Sequence, residues 1–112
     1  MAITKIVVIA HIMTDRLFAE DGYDVEQSAD NLADLQGEII TEFLAREYPE
    51  TEVYVDIGIH RTSDRPSNIE VEAYVSEEAT DQALGEELQN RLARIIVDRT
   101  ADYAWAVKAG QA

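Results

Sequence analysis

Hydrophobic and polar residues alternate strictly in two stretches of this chain, 53–59 and 69–75. Side chains on a strand alternate faces, so Val53, Val55, Ile57 and Ile59 point one way. Ile69, Val71, Ala73 and Val75 do the same in the second run. With RTSDRPS between them, a sequence of ordinary turn chemistry, the two runs predict an antiparallel hairpin with one dry face and one wet face. Residues 3–12 are instead almost continuously apolar and rich in Ile and Val. That pattern predicts a strand buried on both faces or central in its sheet.

Two helical stripes accompany these strands. Val25, Ala29, Leu32, Ala33, Ile39, Ile40, Phe43, Leu44 and Tyr48 recur at helical spacing. Asp24, with Gln27 three residues later, resembles a capping box, and Pro49 ends the pattern. Gly37 interrupts it, at about 1 kcal/mol relative to Ala. Further on, Ser76 is the expected cap of a second helix. Glu77, Glu78 and Asp81 then lie near its positive end, with Arg91, Arg94 and Arg99 beyond.

The second stripe is Leu84, Leu88, Leu92, Ile95 and Ile96, followed by Tyr103 and Val107. A helix reaching Val107 would be ~45 Å long, far longer than the strands it covers. Either it protrudes and packs its Tyr103–Trp105 end on another subunit, or it stops near Thr100 and 103–107 returns as a short fourth strand. The alanines there favour the helix.

The order β-α-β-β-α predicts one α+β domain over 1–112, a two-layer sandwich with both helices on one face of a mainly antiparallel sheet. A fourth strand at 103–107 would make it ferredoxin-like.

Composition narrows the function classes. The formal net charge is −14, and no cysteine is present, which removes disulfides, thiolate nucleophiles and cysteine-based metal sites. Such a surface repels nucleic acid and anionic membranes, so neither is expected as a direct partner. Solubility is the ordinary explanation of the charge. No apolar run approaches the ~20 residues of a membrane span, and the apolar N-terminal stretch lacks a small-x-small cleavage site, so a cytoplasmic location is expected.

Parallel first and second strands would bring His11 and His60, the only histidines, to one end of the sheet. Thr14, Asp15, Arg16, Arg61, Thr62, Ser63, Asp64 and Arg65 follow them in sequence. Here His11 or His60 would move protons, Asp15 or Asp64 would orient the imidazole, and Arg61 and Arg65, with Thr14 and Arg16 nearby, would hold a small anion. Surface polarity at strand ends explains the same residues more cheaply. No local spacing supports a metal, and no cofactor-binding or nucleophile motif occurs.

The other sheet face is more suggestive. Val7 and Ile9 would share it with Tyr54 and Tyr74, an apolar patch suited to association, with Tyr103 and Trp105 as further interface candidates. A two-fold homodimer is the expected form. Three readings follow: a non-enzymatic module acting through self-association and protein contact; a small-ligand protein or enzyme built on the histidine cluster; and an acidic mimic of nucleic acid, carried by the line Asp30, Asp34, Glu38 and Glu42. The first is preferred.

Overall fold

A computed structural model describes residues 3–14, 22–60 and 68–110. The elements run β1 (Lys5–Met13), α1 (Val25–Glu47), β2 (Glu52–His60), β3 (Asn68–Tyr74) and α2 (Gln82–Thr100). They form an α+β structure with a three-stranded mixed sheet, ordered β2-β1-β3, in which β1 runs parallel to β2 and antiparallel to β3.

The two alternating runs are strands, but they are not a hairpin. β1 lies between them, so the sheet has one parallel and one antiparallel pair rather than being mainly antiparallel. Charge supplies a reason. β2 and β3 carry Glu52, Asp56, Glu70 and Glu72 on one face, and like charges directly opposite each other destabilise a strand pair. Inserting β1 separates them: Ile9 pairs with both Asp56 and Glu70, and Lys5 with both Glu52 and Tyr74.

Alternate residues of β1 turn to the helices. Ile6, Val8 and Ala10 are buried and form one core with Ile40, Phe43 and Leu44 of α1, Ile69 and Val71 of β3, and Leu88 and Leu92 of α2. Each fully buried aliphatic side chain contributes about 1.5–3 kcal/mol relative to exposure. Asp24 caps α1, its Oδ1 accepting from the Gln27 N–H at 3.0 Å. The reciprocal half of the capping box does not form, because the Asp24 N–H donates to Val107 O at 2.8 Å and the Gln27 side chain turns to Asn31. The helix stops at Glu47, just before Pro49.

Gly37 sits inside α1 with ordinary room around it. A β-carbon there would lie 3.6 Å from Ile57 Cδ1, a normal contact. Gly37→Ala is therefore expected to stabilise the protein by about 0.5–1 kcal/mol through helix propensity and reduced unfolded-state entropy. A urea titration checks this, and a loss of stability would contradict the open packing.

The start of α2 differs from the expectation. Ser76 does not cap it; its Oγ accepts from the Ala79 N–H at 3.1 Å within a turn. The Val75 N–H donates to Ala79 O and the Asp81 N–H to Ala73 O, tying this turn to β3. Asp81 is the cap, accepting from the Leu84 N–H at 3.0 Å.

The end of α2 agrees with the second alternative in stopping at Thr100, but no strand follows at 103–107, where the chain turns. Tyr103 adopts a positive φ of 55°. Trp105 then folds inward, 7 % exposed, against Ile12, Ala29 and Leu32. This corrects the assignment of Trp105 to an intersubunit surface: its apolar ring is already covered by its own chain. A further contact fixes the segment, since the buried hydroxyl of Ser28 accepts from the Val107 N–H at 2.9 Å.

Candidate functional site

The sheet face opposite the helices carries Lys5, Val7, Ile9 and His11 from β1, half-buried beside their neighbours. Across Val7 stand Tyr54 and Glu72; across Ile9 stand Asp56 and Glu70. Tyr54 is 55 % exposed. The Lys5 ammonium lies 4.5 Å from the centre of the Tyr74 ring. The molecule measures 51 × 28 × 18 Å, and the short axis leaves thickness for one sheet and one helix layer. The expected placement of Val7, Ile9, Tyr54 and Tyr74 on one face is what the register gives. Tyr103 and Trp105 are not part of it: their rings lie against each other at a tilt of 41°, with Trp105 in the helix-side cluster at Ile12.

Carboxylates frame this patch. Glu52 accepts from the Tyr54 hydroxyl at 3.3 Å, and Glu72 accepts from the Tyr74 hydroxyl. The hydrogen bond to Glu72, then desolvation and the charge of that carboxylate, raise the Tyr74 phenol above its ordinary value. Asp56 and Glu70 make no hydrogen bond or ion pair with any described residue, so their charge is available to a partner.

The histidines meet at one end of this face. Parallel β1 and β2 set His11 opposite Gly58 and Met13 opposite His60. The two rings reach across Gly58, and His11 Nδ1 lies 3.0 Å from His60 Nε2. The ring centres are 5.1 Å apart, so the two nitrogens lie near the line joining the rings. One nitrogen must donate and the other accept. This head-on geometry is a hydrogen bond, whereas a chelating pair would aim both lone pairs at a third point. Among the described residues no group of three or more metal-ligating side chains occurs.

Gly58 makes the pair possible. A β-carbon there would stand 3.0 Å from His60 Nε2 and 3.8 Å from His11 Nδ1. Sequence reasoning missed this residue. Its signal was an isolated glycine inside a strand, which marks a bulge or a close approach. The hydrogen bond predicts a measurable scalar coupling between the two ring nitrogens by NMR at neutral pH. Gly58→Ala, whose β-carbon would stand 3.0 Å from His60 Nε2, should abolish it. Persistence of the coupling in Gly58→Ala would contradict this geometry.

Of the residues expected beside the pair, Thr14 is described; its hydroxyl donates to the His60 carbonyl at 3.2 Å. Asp15, Arg16, Arg61, Thr62, Ser63, Asp64 and Arg65 lie outside the described residues. The arrangement present can relay a proton from one ring to the next. Asp30, Asp34, Glu38 and Glu42 are all exposed on α1, with Glu42 accepting from Arg99 at 3.4 Å.

What these features define is a small α+β protein with an acid-framed sheet face that neither helix covers and a hydrogen-bonded histidine pair at its end. Among the described residues no helix is long and apolar enough to cross a membrane. Compared with known protein families, curated proteins and solved structures, the chain matches none.

Proposed function

We propose that the protein is an interaction module that works by docking its acid-framed sheet face, with self-association through that face as its first form. The observation behind this reading is the stripe of Val7 and Ile9, set between Tyr54 and Glu72 and between Asp56 and Glu70, on the side that neither helix covers. Aromatic residues around aliphatic ones are the composition of contact surfaces.

The acid frame makes self-association salt-dependent. A two-fold axis along the strands lays Asp56 of one copy over Glu70 of the other. A two-fold axis across them, near Val7, lays Glu52 over Asp56. Exposed carboxylates repel less as the Debye length falls from ~10 Å at 0.1 M salt to ~3 Å at 1 M. Sedimentation at tens of micromolar should therefore find monomer in dilute buffer and dimer in molar salt. Tyr54→Ala, at an exposed position, should weaken the dimer about tenfold. A monomer in both salts would sink the reading.

A second reading is favoured by the 3.0 Å histidine contact, which supports a small-anion or proton-transfer site at His11 and His60. Phosphate titration followed on the imidazole resonances tests it; resonances that phosphate leaves unmoved would remove it.

A further inference from the structure

The two edges of the sheet are treated differently. The outer edge of β3 is dressed by its own chain: the Val71 N–H donates to Gln89 Oε1 at 3.3 Å, and the Asp81 N–H donates to Ala73 O at 2.8 Å. Tyr74 also bridges to Thr80. β2 stands at the opposite edge, and among the described residues β1 is its sole strand neighbour. Among the described residues, the bonds made to its ends come from the β1 side, where Thr14 donates to His60 O and Thr51 to Ile3 O. Alternate residues of the nine in β2 thus turn their main-chain donors and acceptors to a side that no described strand covers. Such an edge is a template for another strand unless something opposes it.

What opposes it here is negative charge, and charge is selective. Glu52 and Asp56 point outward at the two sides of Tyr54, and β2 contains neither proline nor a bulge. A second copy meets that charge with its own: antiparallel pairing of β2 about its centre sets Asp56 against Asp56. Shifted registers relieve that one contact, yet each copy still brings a formal charge of −14. A strand bearing Lys or Arg at alternate positions finds the reverse. Its cations lie beside Glu52 and Asp56, and its other side chains lie beside Val55, Ile57 and Ile59. Ile59 is 40 % exposed, so apolar surface remains to be covered there.

We propose that the free edge of β2 accepts an extended cationic segment of a partner protein as an added strand, alternating basic and aliphatic residues. Main-chain hydrogen bonds give such a complex its affinity, and the side-chain alternation gives its specificity. The long-range field of the acidic protein speeds the encounter. This surface is distinct from the face that docks in the proposed function, and its salt dependence has the opposite sign: added salt weakens it.

The test uses the full chain and two nine-residue peptides of one composition, lysine alternating with valine in the first, lysine and valine in separate blocks in the second. NMR and amide hydrogen exchange in dilute buffer should show the alternating peptide protecting amides of β2, at least tenfold more tightly than the block peptide. Molar salt should release it. Asp56→Lys should weaken it at least tenfold, while Glu77→Lys, an equal change of net charge in the exposed turn after β3, should weaken it far less. Equal binding of both peptides, shifts centred on Val7 and Ile9 or on the α1 acids, pairing of β2 with β2 of a second copy, or no binding would each overturn the proposal. The sedimentation experiment in molar salt reads the face independently, so either can fail alone.

Discussion

Replacing Trp105 by Ala should destabilise the protein by about 3–5 kcal/mol, the range measured for removing a large aromatic from a core. The ring is 7 % exposed and fills the space bounded by Ile12, Ala29 and Leu32. Its indole N–H donates to Thr100 O at 3.0 Å, closing the turn that follows α2. Around it the C-terminal segment is laced to the start of α1: Asn31 donates to Trp105 O at 3.0 Å, and the Asp24 N–H donates to Val107 O at 2.8 Å. Losing the ring removes the apolar anchor and leaves these polar contacts to hold the segment. Against a total stability of about 5–15 kcal/mol, that loss is large. Thermal unfolding should shift down by roughly 12–40 °C, taking about 4–8 °C per kcal/mol for a domain near this size. A loss under 1 kcal/mol would mean that the segment docks only loosely and would restore Trp105 as an interface candidate.

Gly85→Val is expected to cost about 3 kcal/mol or more, at the top of the range for overpacking. Gly85 is buried in the first turns of α2, where the helix lies directly on β3. A β-carbon there would fall 2.9 Å from the carbonyl oxygen of Val71, and backbone cannot swing aside as a side-chain tip can. Helix propensity alone would favour Ala over Gly by about 1 kcal/mol, so the sign of the Gly85→Ala change is a contest between propensity and collision. The collision is with the backbone of Val71, whose side chain belongs to the core, and it wins: Gly85→Ala should lose about 1 kcal/mol net, where Gly37→Ala gains. Chemical denaturation of the three variants checks the order, and a stabilised Gly85→Ala would show that α2 can lift off β3 at little cost.

These two glycines show where sequence reading stops. Both interrupt a helical pattern, and nothing local separates them. One faces a flexible methyl group and the other a fixed carbonyl, a difference that exists only once α2 has landed on β3. The histidine pair divides in the same way. From sequence, a shared end for His11 and His60 was conditional on parallel first and second strands, and the structure supplies that pairing. That their rings hydrogen bond across Gly58 depends on the two-residue offset between His11 opposite Gly58 and Met13 opposite His60.

By itself the sequence determined the five elements, the faces of the strands and the cap at Asp24, because periodicity and capping act over a few residues. It also placed Val7, Ile9, Tyr54 and Tyr74 together, since alternation along a strand survives any choice of neighbour. Only the tertiary structure decided which strands are neighbours, where α2 begins and ends, and which way Trp105 turns. Those outcomes are settled by contacts between distant residues: the acids of β2 and β3 kept apart by β1, the turn at 76–81 tied back to Ala73, and a pocket beside Ala29 that covers an indole more completely than water-exposed helix or strand at 103–107 would.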